Sequence, residues 1–347
     1  MTLVARTSDW MIRPFERSGL APWLLGLAIV IGWLLFAAFV HGIAHLLVGP
    51  AELAFGVESF TWSIVVNGVL IGVMLAGHAH LHRGAVSDLR QLRPLLPDDD
   101  AAFAELVDHV PNLSVSMLWL ATFGGMAGGL AVATLDPTLH DLYEHVPLSD
   151  PRYLFYLIQN MAFGVLGTRL FVAEVHMTRA YARLGERVEV DLLDLSLLLI
   201  FARKGLRSIV IWVLVSSAFS MFWVLDSAGQ INVFVPILIL AIATTALVAP
   251  TLGVHHSIAR AKAAELSIVN DAIRSERAKT LAPRTADSAA EDARLGNLIQ
   301  YQAFVKSVRE WPFDLSIVAR SVLLVVLGAG SWVGGAIVER LLTAALE

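Results

Sequence analysis

Long apolar runs separated by short polar segments dominate the chain, and seven of them approach the roughly 20 residues that about 30 Å of hydrocarbon requires. They extend from Leu20 to Leu47, Phe60 to Gly77, Leu113 to Leu135, Tyr153 to Ala173, Leu206 to Leu225, Ile231 to Pro250 and Leu315 to Val338. Gly and Pro within them are compatible with spanning helices, because neighbouring helices satisfy the freed backbone groups. From Val190 to Ala202 (VDLLDLSLLLIFA) the apolar run is too short to span, which predicts an interfacial helix or one buried in a helical layer. From Ser257 to Ala278, Ile258, Ala261, Val269, Ala272 and Ile273 share one helical face that Glu265 interrupts, which predicts a continuation of the sixth helix. Thr280 to Asp292 has no apolar period and predicts a loop or disorder. In Leu295 to Val308, one stripe holds Leu295, Leu298, Ile299 and Val305 and another holds Tyr301, Phe304 and Val308, so this helix is expected to pack on two sides. Pro312 marks a break before the last run.

The predicted fold is all-α and polytopic, with seven transmembrane helices and a helical layer on one face. Residues 1–173 hold spans one to four with a polar loop at 78–111, and 174–205 hold interfacial helices. Residues 206–250 hold spans five and six, 251–312 a helical segment with a flexible loop at 280–292, and 313–347 the last span and the C-terminus. No internal repeat is visible.

Composition agrees with a lipid environment, since 56% of the 347 residues are hydrophobic, 16% are charged and the mean hydropathy is +0.68. Charge then sets an orientation, because Lys and Arg near span ends are retained in the cytoplasm. All but Arg152, Arg169, Arg320 and Arg340 of the 25 Lys and Arg fall on one side. That side carries the N-terminus and the layer, so the N-terminus is expected in the cytoplasm and the C-terminus outside. Arg169 and Arg320 lie in spans near their inner ends, where long side chains can snorkel. Tyr153, Trp62, Trp223 and Trp332 near outer ends, and Trp23 and Trp311 near inner ones, fit aromatic belts. Arg6, Arg13 and Arg17 precede a first run too long for a signal-peptide core, so the run is expected to be retained.

Candidate chemistry is sparse. The net charge of −5 and the absence of base-reading motifs argue against a nucleic-acid partner. There is no cysteine, and no nucleophile-elbow, Walker, metalloprotease or dinucleotide fingerprint. No catalytic residue or cofactor is therefore expected, and an enzyme is not the default reading. Metal binding by the 11 histidines is the exception worth locating. His41 and His45 are a turn apart at an outer end, while His78, His82, His176 and His255 lie at inner ends of three spans that could converge. Gly68/Gly72, Gly124/Gly128, Gly125/Gly129 and Gly330/Gly334 are GxxxG pairs that allow close helix approach. Asn67, Asn160 and Thr168 are expected to hydrogen-bond between helices. In the last run, Ser316, Arg320, Leu327, Ser331 and Gly334 lie along one face, which makes them the candidate pore lining.

Several stretches resemble a family of bacterial inner-membrane proteins: LRQLRPLLP at Leu89 to Pro97, VDLLDLSLLLIFARKGLRS at Val190 to Ser208, and EWPFDLS with GSWVGGAIVERLL in the last quarter. That resemblance implies a bacterial inner membrane and no particular activity. In architecture alone, the layout resembles the insect odorant and gustatory receptor channels. They too combine seven spans, an internal N-terminus, a cytoplasmic layer and a last span divided into a cytoplasmic helix and a pore helix. Leu295 to Val308 and Leu315 to Val338 would match that divided span. The functional expectation is an ion channel-like homo-oligomer, four subunits being the expected number, lined by the last span and open to an ion or small-molecule ligand of unknown identity. A sensor or scaffold signalling through the cytoplasmic helices is the alternative, followed by a histidine-rich metal enzyme.

Overall fold

A computed structural model gives the fold and describes residues 9–48, 57–96, 100–135, 150–222, 234–280 and 288–313, with six further positions between 319 and 326. The described residues are mostly helical and contain no strand. The helices are α1 (Arg13–Ser18), α2 (Pro22–Val48), α3 (Val57–Leu92), α4 (Asp100–His109), α5 (Val115–Leu135), α6 (Pro151–Gly185), α7 (Leu199–Ser220), α8 (Phe234–Val248), α9 (Leu252–Thr280) and α10 (Ser288–Ser307). Stretches within α2, α3, α5 and α6 are long and apolar enough to cross a membrane.

α3 sits at the centre of the bundle and α2 at its rim, since 72% of the apolar window of α3 is buried against 11% for α2. Val66, Leu70, Met74, Leu81, Ala85, Leu89 and Leu92 recur on α3 at helical spacing and are buried. They share a core with Leu170, Met177 and Tyr181 of α6 and Ile200, Ile209 and Trp212 of α7. The rim is apolar too: Leu24, Leu27, Ile31, Leu35 and Phe39 of α2 and Trp119, Leu120 and Phe123 of α5 are exposed. So many exposed large apolar side chains along two helices are unfavourable in water and stable against hydrocarbon.

Small residues decide which helices touch. A Cβ on Gly125 of α5 would lie 2.5 Å from the Gly164 carbonyl oxygen of α6, and one on Gly72 would lie 2.7 Å from that of Gly26 in α2. Gly125/Gly129 and Gly72 therefore serve packing within the chain, whereas Gly124 and Gly128 face open space. Gly330/Gly334 lies outside the described residues. Asn67 and Asn160 depart from expectation: each donates to its own helix, to the carbonyls of Ser63 and Tyr156, both at 3.0 Å. Their positions in apolar helices leave the preceding turn's carbonyl as the nearest acceptor.

Several predicted boundaries move. The helix that holds the fourth predicted span is longer than the span: α6 begins at Pro151, where Asp150 caps it by accepting from Arg152 N (2.8 Å), and continues unbroken past Ala173 to Gly185. Val190 to Ala202 is not a helix of its own. Asp191 and Asp194 accept the backbone N–H groups of Leu193 (2.8 Å) and Ser196 (2.9 Å), and these local turns replace helix until a 3₁₀ turn at Ser196–Leu198 leads into α7. The Ser196 N–H also holds the Asp194 carboxyl below the usual carboxylate range. α8 continues into α9 through one 3₁₀ turn at Ala249–Thr251, as the sixth-helix continuation predicts. α10 begins at Ser288, inside the predicted 280–292 loop, of which 281–287 lie outside the described residues.

α9 and α10 pair through both apolar and polar contacts. Val269 and Val305 are buried, Tyr301 donates to Glu265 (3.1 Å), and Gln302 donates to Asn270. Glu265, the interruption in the apolar face, thus has a partner, and its hydrogen bond raises the Tyr301 pKa above the ordinary value. Ile299 and Phe304 remain exposed, so α10 buries one side rather than two. The first turn of α9 docks on the end of α6, where Ser257 Oγ donates to the Gly185 carbonyl (2.9 Å).

Candidate functional site

The most unusual feature of the bundle is a seam of buried charge along α3, α6 and α7. Helical spacing sets out part of it: Glu174 and Tyr181, seven residues apart, share one face of α6 while Arg169 lies on another, His78, His82 and Asp88 follow along α3, and Lys204, Arg207 and Ser208 lie in the first half of α7. Three groups form, each balanced in sign.

The first involves the N-terminal segment, which folds back onto α3. Asp9 Oδ1 lies 3.0 Å from Arg169 Nη2, and Asp9 Oδ2 lies 4.0 Å from His78 Nδ1. Asp9, Arg169 and His78 are all buried. Arg169 also faces the Trp10 ring at 5.9 Å. One helical turn along, His82 lies between Glu16 Oε1 (2.8 Å) and Asn112 Oδ1 (3.2 Å). Arg83 donates to the Phe15 and Leu20 carbonyls, the latter at 2.7 Å, fixing α1 and the start of α2.

The second group is the most enclosed. Lys204 Nζ donates to Glu174 Oε1 and to Thr178 Oγ1 (2.7 Å), while Thr178 donates to Glu174 Oε1 (2.9 Å) and Ser208 to Glu174 Oε2 (3.1 Å). Glu174 and Lys204 are each only 2% exposed. In the third group, Asp88 of α3 accepts from Arg207 and from the Tyr181 hydroxyl (2.8 Å).

An isolated charge so buried would cost several kcal/mol, and pairing of this quality offsets that cost. The chemistry is that of an electrostatic lock between helices: the hydroxyls of Thr178, Tyr181 and Ser208 all direct their protons at carboxylates.

Sequence reasoning places Glu174 near the inner helix ends but misses Asp9, Asp88, Lys204 and Arg207 as parts of one seam. Arg169 is corrected: it does not snorkel, because Asp9 reaches it inside the bundle and meets its charge without water. The available signal was the charge content of helices otherwise apolar, together with Ile12 and Phe15 beside Asp9 in a segment read as a basic tail.

The candidate metal ligands are not brought together. His41 Nδ1 donates to the Ala37 carbonyl (2.8 Å), and His45 is exposed one turn on. His78 and His82 approach different carboxylates, as described. His176 Nε2 donates to the His109 carbonyl (3.0 Å), and His255 donates to that of Glu310 (3.1 Å) while stacking on Trp311. Among the described residues no three His, Asp or Glu side chains form a group that could hold a metal ion. Of the candidate pore residues, Ser316, Leu327, Ser331 and Gly334 lie outside the described residues, and Arg320 is helical and exposed.

Fold and seam together define, among the described residues, a helical bundle in which four helices are apolar and long enough to cross a bilayer and buried ion pairs tie α3 and α6 to α7 and α6 to the N-terminal segment. No protein-family model, curated protein or solved structure matches the chain.

Proposed function

We propose that the chain is a seven-span membrane protein, N-terminus inside and C-terminus outside, that couples the arrangement of its transmembrane bundle to the α9–α10 pair on its cytoplasmic face, as a sensor or scaffold does. One observation carries the reading. α3 and α6 are unbroken over 36 and 35 residues, roughly 50 Å each, against about 30 Å of hydrocarbon. Both therefore project beyond the bilayer as rigid rods, buried charges join them to α7, and α9 docks on the end of α6. A shift of α6 in the bundle would move α9 directly.

The topology has a direct test in this cysteine-free chain. Single cysteines at Thr138 and Leu346 are expected to react with an impermeant thiol reagent from outside, and those at Ser87 and Ser288 only after the membrane is opened. Labelling of Leu346 and Ser288 from the same side would refute seven spans.

Coupling is tested with Tyr181→Phe, which removes one hydroxyl from a buried carboxylate, a loss of about 1.5–3 kcal/mol. Amide exchange is expected to quicken in α6 and also from Ser257 to Val269 in α9. Faster exchange confined to the neighbours of Tyr181 would defeat the coupling reading.

Arg320 favours a second reading, an ion channel-like homo-oligomer lined by the last span. It is exposed within an apolar run, and no carboxylate among the described residues pairs with it. A pore or a neighbouring subunit would satisfy such a charge. Ion flux above that of protein-free liposomes, with selectivity altered in Arg320→Ala, would favour this reading over the first.

A further inference from the structure

A groove of about 310 Å³ runs beside α6, outside the charge seam, and its chemistry is graded along the helix. At one end Phe171, Val172 and Val175 of α6 face Met117 of α5. At the other end are Arg179 and Arg183, four residues apart and so on one helical face. Both arginines are exposed, and no carboxylate among the described residues pairs with either. This distinguishes them from Arg169 and Arg207, whose charges are met inside the protein. His176 forms part of the wall between the two ends, with Nε2 committed to the His109 carbonyl.

We propose that this groove binds one anionic phospholipid from the adjoining leaflet, with an acyl chain against Phe171, Val172, Val175 and Met117 and the phosphate between Arg179 and Arg183. Continuity supports the membrane as the source, because Met117 at the apolar end belongs to α5, on which Trp119, Leu120 and Phe123 are exposed. Length agrees as well. Phe171 to Arg183 spans on the order of 18 Å of helix, and one leaflet of hydrocarbon is about 15 Å deep, so a chain seated at Phe171 brings its phosphate to the arginines. Charge selects the headgroup: two guanidiniums suit a phosphate with net negative charge, and a zwitterionic headgroup would bring its own cation into the same site. The site does not depend on which face of the membrane is cytoplasmic.

The test is native mass spectrometry of the full chain in detergent after exposure to mixed micelles of phosphatidylglycerol or phosphatidylcholine. Wild type is expected to retain phosphatidylglycerol preferentially, and R179Q/R183Q to retain it on the order of tenfold less. R203Q/R260Q, which removes the same charge from positions elsewhere, is expected to behave as wild type. Val172→Trp, which fills the apolar end and leaves both arginines in place, is expected to reduce retention too. Undiminished retention in R179Q/R183Q, or equal retention of phosphatidylcholine by wild type, would overturn the proposal. So would displacement of the lipid by glycerol 3-phosphate at matched concentration, which would make the site a receptor for a soluble phosphate.

Discussion

Replacing Lys204 by Met is expected to lower the unfolding free energy in mixed micelles by about 3–5 kcal/mol, because it leaves the Glu174 carboxylate buried without its cation. Thr178 and Ser208 would still donate to that carboxylate, but neutral hydroxyls do not offset a full negative charge away from water. The double variant Glu174→Leu/Lys204→Met is expected to recover most of the loss, since both desolvation costs disappear together. Ser208 retains the Lys204 backbone carbonyl as an acceptor in that background. Arg274→Met is the control: its bond to Asp271 is exposed at both ends and should contribute less than about 1 kcal/mol. Denaturant titration followed by tryptophan fluorescence would measure all four proteins. A Lys204→Met effect no larger than that of Arg274→Met would mean that water reaches the seam.

Gly125→Leu is expected to destabilise by about 3 kcal/mol or more, whereas Gly124→Leu should stay within about 0.5 kcal/mol of wild type in detergent. The two glycines are adjacent and belong to interleaved GxxxG pairs, so composition does not separate them. Their surroundings do. A Cβ on Gly125 would lie 2.5 Å from the Gly164 carbonyl oxygen and 2.6 Å from Val165 Cα, so a backbone would have to move. Around Gly124 nothing lies within 4 Å. Helix propensity works in the opposite direction, as most side chains stabilise a helix relative to Gly, so a net loss at Gly125 isolates the packing contribution. Equal sensitivity at both positions, measured by the same titration, would remove the close α5–α6 contact as the reason for these glycines.

Much of the helical layout was legible along the chain. Bilayer thickness imposes a length on apolar runs, and this length located α2, α5 and most of α8 to within a few residues. Where runs ended in charge, the helices extend well beyond the predicted spans. α3 continues past Gly77 through His78, His82 and Asp88, and α6 past Ala173 through Glu174 and Tyr181, because buried partners on other helices meet those polar groups. Hydropathy treats each residue as though it faced lipid or water alone, so it gives no sign that a helix continues through charges paired inside a bundle. At Val190 to Ala202 the reading failed: two aspartates supply local acceptors that compete with helix, a contest that apolar periodicity does not register.

The candidate site was less accessible. His78, His82 and Glu174 were recognisable as polar groups near helix ends, but their partners are distant in sequence: Asp9 meets Arg169, Asp88 meets Arg207, and His255 stacks on Trp311 instead of joining the other histidines. Which charges pair depends on which helix faces adjoin, and a single sequence contains no record of that.

By itself, the sequence determined the helical class and the apolar runs long enough to cross a bilayer, because an excess of apolar residues in runs of that length has few other stable solutions. Tertiary structure decided that α3 is central and α2 peripheral, that Gly125 rather than Gly124 meets α6, and that the charged and hydroxyl groups of the seam, from Asp9 to Ser208, pair with one another instead of forming a metal centre. These outcomes depend on rotation and depth of one helix against another, and a few ångströms of either exchange a buried partner for lipid.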